Sequence, residues 1–144
     1  MTKLNIYLNF AGNTEEAFNF YKSVFGGDFT RVVRFKDIPM EGVNIPKKDE
    51  NKIMFIDLPI GKDNVLMATE TLESLGQKLV QGNNVCISVH PESKEEAGRI
   101  FSALSKGGTI EMPIADQPWG TYYGNFKDKF GVQWMENYSY PKER

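Results

Sequence analysis

The triplet Glu15-Glu16-Ala17 returns 80 residues later as Glu95-Glu96-Ala97, and the likeness extends on both sides of it. Residues 13–27 read NTEEAFNFYKSVFGG and residues 93–108 read SKEEAGRIFSALSKGG. A tandem copy obliges both halves to adopt the same order of elements, which removes most of the architectures otherwise open to a chain of 144 residues. Both segments read as helices. Asn13 with Glu16, and Ser93 with Glu96, have capping-box spacing, in which a side-chain oxygen accepts an orphan backbone N–H and the carboxylate reaches back. Ala17, Phe20, Tyr21 and Val24 then form the same apolar stripe as Ala97, Ile100, Phe101 and Leu104, the spacing of one buried helix face. Gly26-Gly27 and Gly107-Gly108 supply the C-terminal stops.

The segments before the helices match once a single residue is allowed for in the first connecting loop. Leu4, Ile6 and Leu8 then answer to Val85, Ile87 and Val89, and period-two alternation predicts strands whose apolar row faces the helix. Asn5, Tyr7 and Asn9 in the first copy, and Cys86, Ser88 and His90 in the second, point away from it. Further strands are expected at 29–35, 52–58 and 64–69, and again at 109–114, 121–127 and 132–138. The fold class is therefore α+β. Two tandem β-α-β-β-β modules, about 1–72 and 80–140 of a single domain 1–144, form a cupped mixed sheet with helices on one face. The stretch 36–51, with Pro39, Gly42 and Pro46, reads as a long loop placed to cover a cavity. Residues 70–82 read as a linker, with a short helical turn at 72–75.

Charge and cysteine content narrow the function. With 17 Lys or Arg against 19 Asp or Glu, the formal charge is −2, and the basic residues are scattered. Neither nucleic acid nor an anionic membrane is expected as partner. The single cysteine, Cys86, makes no internal disulfide, and no stretch of about 18 apolar residues is present, so a cytoplasmic protein is the default expectation. No G-x-S-x-G elbow, histidine pair or Cys-His spacing is present to build an activated nucleophile.

Three stretches carry a resemblance to a known family: YLNFAGNTEEAFNFYKSVFGG (7–27), NVLMATE (64–70) and MPIADQPWGTYYGNFKDKFGVQWMENY (112–138). With the duplicated module order they resemble the vicinal oxygen chelate superfamily, which includes glyoxalase I, extradiol dioxygenases and bleomycin-binding resistance proteins, and within it the PhnB-like branch. The run from Trp119, Gly120 and Tyr123 through Lys127 to Trp134 is the most specific part. The resemblance implies a cupped sheet around a small-molecule cavity and, for single-chain members with two modules, a homodimer.

It also implies a test. Superfamily enzymes hold a divalent metal with His and Glu from the first and last strands of each module, leaving positions open for two substrate oxygens. The corresponding positions here are Asn5 and Cys86, with Ala68 and Met135, and Phe55 lies in the strand where many PhnB-like relatives carry a His. No metal and no cofactor is expected. The cavity wall is assigned instead to Tyr7, Trp119, Tyr123, Gln133 and Met135, with Asn5, Cys86 and Ser88 also among the ligand-binding residues.

Glu136, Asp116 and His90 remain as candidate acid–base groups, each beside a plainer reading: a solvated or dimer-edge carboxylate, a loop carboxylate, and an exposed helix-entry residue. A glycine-rich turn between strand and helix, which a methyl donor needs, is absent, because the Gly pairs follow helices and precede strands. The expectation is thus a PhnB-like protein that binds an aromatic or amphipathic small molecule without metal. The alternative is a metal-dependent lyase, isomerase or dioxygenase of the glyoxalase type. The sequence does not name the ligand.

Overall fold

A computed structural model describes residues 2–141. The chain divides into two compact units, Met1–Val80 and Gln81–Arg144. In the first, β1 (Ile6–Phe10), α1 (Thr14–Phe25), β2 (Arg31–Arg34), β3 (Ile53–Ile60) and β4 (Asn64–Glu70) follow one another; in the second the same order recurs as β5 (Ile87–Val89), α2 (Lys94–Leu104), β6 (Thr109–Asp116), β7 (Thr121–Lys127) and β8 (Gln133–Ser139). The sheets have matching strand orders, β1-β4-β3-β2 and β5-β8-β7-β6. In each, the first and last strands of the module form the one parallel pairing among the described residues. A helix bridges the crossover from the first strand to the second, short turns join β3 to β4, β6 to β7 and β7 to β8, and a long irregular segment joins β2 to β3.

Sheet register assigns the rows. In the first unit Phe10, Ile56, Leu58, Leu66 and Ala68 lie under α1, where they are almost wholly buried with Ala17, Phe18, Tyr21 and Val24. Phe18, rather than the expected Phe20, is the aromatic that enters this core. It meets Phe10 and Tyr21 edge-on, with ring centroids 6.3 and 5.7 Å away. The second helix buries Ala97, Ile100, Phe101 and Leu104, the expected stripe, over Phe126 and Trp134. Leu4 and Val85 do not join either core. Both precede the strands that were expected to include them and are 91% and 74% exposed.

The two helix starts differ although their sequences correspond. Ser93 Oγ accepts the Glu96 N–H at 3.1 Å. Asn13 makes no such bond. In its place the carboxylate of Glu70, at the end of β4, accepts the Thr14 N–H at 3.4 Å and the Thr14 hydroxyl. A distant carboxylate therefore caps α1 where a local side chain caps α2. Ser93→Ala is expected to cost about 1 kcal/mol, whereas Asn13→Ala should lie within about 0.5 kcal/mol of the parent in urea unfolding. Gly26 closes α1 at φ +81°, a conformation from which a side chain would be strained.

Segment 36–51 contains only two 3₁₀ turns, which span Phe35–Asp37 and Lys47–Asp49, and a third covers Glu73–Leu75 in the linker. These irregular segments are fastened to each other. The buried carboxylate of Asp49 accepts the Ser74 hydroxyl at 2.7 Å and pairs with Lys52 at 2.8 Å, which holds its carboxyl below the usual range. Arg34 makes a two-pronged contact with Glu15 on α1, at 3.0 and 2.6 Å, and reaches the Asn51 carbonyl at 2.7 Å.

Candidate functional site

Period-two alternation leaves a second row on each sheet, facing away from the helix. On the first sheet it comprises Tyr7 and Asn9 of β1, Met67 and Thr69 of β4, Phe55 and Asp57 of β3, and Arg31 and Val33 of β2. Irregular segments rise on both sides of this face. Ile38, Met40 and Val43 come from the loop after β2, and Leu75, Gln77, Lys78, Leu79 and Val80 from the linker. Together with Tyr7, Asn9, Arg31, Val33, Phe55 and Thr69 they enclose a cavity of about 950 Å³. The size suits a small organic ligand.

The wall mixes apolar side chains with the polar ones of Asn9, Arg31, Thr69, Glu70, Thr71, Gln77 and Lys78, several of which are already engaged. Thr69 is committed to the Met54 carbonyl at 2.7 Å, and the Gln77 side chain accepts the Leu72 N–H at 2.8 Å. Arg31 stands directly opposite Asp57 in register, donates through Nε to Oδ2 at 3.1 Å and lays its guanidinium over the Phe55 ring at 4.2 Å. Tyr7 meets the same ring at 6.0 Å between centroids. Most of the remaining wall is aliphatic or thioether.

Of the residues assigned to the wall from sequence, Tyr7 lines this cavity, and Asn5 is exposed just ahead of β1. The others belong to the second unit. There Trp119 is 61% exposed and edge-on to Tyr123 at 5.7 Å. The Tyr123 hydroxyl accepts from Asn125 at 3.2 Å. Met135 pairs in register with Ser88 and Asn125, and with half-buried Gln133 it occupies the row opposite Trp134. Cys86 is exposed, and partial desolvation with the nearby Glu111 charge pushes its thiol up. Sequence reasoning missed Arg31, Met40, Val43 and the linker residues. Only Arg31 had a signal, as a charged residue within a predicted strand.

The acid–base candidates separate. His90 is exposed, with Nε2 2.9 Å from the Ser88 hydroxyl. Asp116 accepts from the Tyr140 hydroxyl and faces Lys94 at 3.9 Å, so it is engaged at the surface. Glu136 corrects its expectation: it is neither solvated nor at an edge, but fully buried beneath α2, with no hydrogen-bond partner for either oxygen. Desolvation, reinforced by the Glu96 charge and opposed by Arg99, raises its pKa to about 8.

The positions matching the superfamily's metal ligands offer an amide (Asn5), a thiol (Cys86), a methyl (Ala68) and a thioether (Met135). Ala68 lies on the helix side of β4, fully buried. Among the described residues no three His, Cys, Asp or Glu side chains gather closely enough to hold a metal ion. This donor set does not fit the divalent ion of the superfamily's enzymes.

Two β-α-β-β-β modules with matching strand orders define the class of paired-module α+β proteins. The chain belongs to the Glyoxalase/Bleomycin resistance protein/Dioxygenase superfamily, whose family model matches residues 3–135. It is 27% identical over 137 residues to Protein YjdN of Escherichia coli strain K12, covering 93% of each chain. Protein PA1353 from Pseudomonas aeruginosa shares 34% identity and superposes with a TM-score of 0.84, over 96% of this chain and 98% of that one. A PhnB protein from Bacillus cereus shares the fold at 24% identity and a TM-score of 0.76, over 96% and 100% of the two chains. None of the described helices is long and apolar enough to cross a membrane.

Proposed function

We propose that the protein binds an aromatic or amphipathic small molecule in the first unit's cavity, without a metal ion. The observation that carries this reading is the cavity itself: about 950 Å³, with Tyr7, Phe55, Val33, Met40, Val43 and Leu79 among its apolar lining and Arg31, Glu70 and Lys78 among its polar groups. Apolar contact supplies affinity in such a space, and the polar groups orient the ligand. Trp119, Tyr123, Gln133 and Met135, with Ser88, are a second candidate contact surface on the other unit. The reading extends to a cytoplasmic homodimer, supported by the exposed apolar side chains of Leu4, Val80 and Val85.

Calorimetric titration with naphthalene derivatives tests the cavity. A probe should bind the parent protein, and Val33→Trp, which fills the floor, should weaken it at least tenfold while the midpoint of thermal unfolding moves by only a few degrees. Binding that Val33→Trp leaves untouched places the ligand elsewhere. Elemental analysis of untagged protein, followed by thermal shifts with Mn, Ni, Zn and Fe(II), addresses the metal: a stoichiometric ion, or stabilisation by several degrees, defeats the metal-independent reading in favour of a glyoxalase-type enzyme.

A further inference from the structure

We infer that Arg31 is the anchor of this cavity and that its ligand carries a terminal oxyanion, carboxylate or phosphoryl, on the aromatic or apolar body. The inference rests on the cavity reading above and adds a ligand class to it. An arginine guanidinium presents two paired N–H edges, one through Nε and a terminal nitrogen and one through Nη1 and Nη2, and here Nε is committed to Asp57 Oδ2 at 3.1 Å. Its face is committed too, stacked 4.2 Å above the Phe55 ring. The ion pair and the ring contact together restrain the group. The terminal Nη1 and Nη2 groups have no partner among the described residues, and the side chain remains 61% exposed while lining the cavity. A pre-oriented fork of unused donors is the arrangement that receives a planar carboxylate or two phosphoryl oxygens through parallel hydrogen bonds.

The surrounding charges agree. Three charged side chains line the cavity: Arg31, Lys78 and Glu70. The Glu70 carboxylate turns one oxygen toward the start of α1, where it accepts the Thr14 N–H and hydroxyl. Asp57 offsets part of the Arg31 charge but is not itself among the lining residues. A plain cross-strand ion pair explains the Arg31–Asp57 contact alone, and it makes no demand on the ligand. The two explanations therefore differ in what they predict for binding.

Three probes on one naphthalene body decide between them: 1-naphthoate, 1-naphthyl phosphate and 1-naphthamide, titrated calorimetrically into the full chain. One of the two anions should bind the parent about tenfold or more tighter than the neutral amide, as a charge-assisted pair at a partly solvated site contributes. Which anion leads identifies the oxyanion. In Arg31→Met the preference should collapse to within about twofold while amide affinity is retained; Arg31→Lys, which keeps the charge and loses the fork, should fall between. An amide bound as tightly as both anions by the parent, or an anion preference that survives Arg31→Met, overturns the inference and leaves the cavity reading standing. If none of the three probes binds the parent, the cavity reading falls and this inference falls with it. Loss of stability in Arg31→Met without change in the anion-to-amide ratio assigns the residue to the ion pair alone.

Discussion

Glu136→Met should make the protein more stable at pH 7 by about 3 kcal/mol and remove most of the fall in stability between pH 5 and pH 8. The carboxyl is fully buried, neither oxygen has a hydrogen-bond partner, and its pKa stands at about 8. In the unfolded chain it titrates near the ordinary glutamate value of about 4.3. Between those two values the folded state holds a proton that the unfolded state has released, so stability is fully present below the lower value and declines as pH rises toward the upper one. Each pH unit in that window removes about 1.4 kcal/mol. Glu15 and Asp49, whose carboxyls are held below the usual range by Arg34 and Lys52, act in the opposite sense and only at more acid pH. Cys86, already pushed upward, titrates above the window.

Methionine fits the site because it is of similar length, apolar and adaptable in shape. The neighbour across the β7–β8 ladder is Gly124, which already packs against Ile114 and Phe101 so closely that a Cβ there would lie 2.7 Å from backbone. Glu136→Gln should be equally insensitive to pH but gain less, because its amide is still buried without partners. Urea unfolding at pH 5, 6, 7 and 8 for parent and both variants measures the slope directly. A parent whose stability is flat over this range, or a methionine variant less stable than the parent at pH 8, would show that the carboxyl reaches solvent.

The history of Glu136 shows where sequence reasoning stops. Trp134 and Glu136 differ by two positions on one strand, so alternation places both on the helix side, and the register confirms that row. What alternation does not reveal is how far the helix extends over the row. The residue type argued for water, and α2 covers it. The same division holds at the cavity. Tyr7, Phe55 and Val33 follow from strand parity, since their sheet face is the one without a helix. Ile38, Met40, Val43 and the residues from Leu75 to Val80 come from irregular segments, where no period relates sequence to direction. Asn13 is a third case: its spacing to Glu16 satisfies the capping-box pattern, yet Glu70, 56 positions from Thr14, provides the cap. Local patterns state which groups need a partner, whereas tertiary structure selects it.

Asp128→Ala should destabilise the second unit by about 3 to 5 kcal/mol, although Asp128 belongs to the KDKFGVQW run that most strongly marks the family resemblance and touches no ligand surface described above. The side chain is 3% exposed. Its Oδ1 accepts the Phe130 N–H at 2.8 Å and the Val132 N–H at 3.0 Å, and its Oδ2 accepts the indole N–H of Trp134 at 2.9 Å. One carboxylate thus closes the β7–β8 turn and fixes the largest fully buried side chain of the core. Gly131 at φ +90° completes the turn, with Gln81 donating to the Phe130 carbonyl at 3.0 Å over the position a Cβ would take. Alanine leaves three donors unanswered, the indole among them in a site closed to water, and unmet buried donors cost more than the bonds they replace contributed.

Asparagine separates the two functions of the carboxylate. Its oxygen can still accept both backbone N–H groups, but its amide nitrogen then faces the indole N–H, donor against donor. Asp128→Asn should therefore retain the turn and lose roughly half of the alanine effect, with near-ultraviolet circular dichroism reporting a loosened Trp134. Equal losses in the two variants would put the whole effect at the indole. An alanine variant within 1 kcal/mol of the parent would mean that the turn is held by its backbone alone. A loss of about 3 to 5 kcal/mol in the alanine variant makes Asp128 a demand of folding, so ligand contacts within this stretch fall to Trp119, Tyr123 and Gln133, beside Arg31 and Phe55 in the cavity of the first unit.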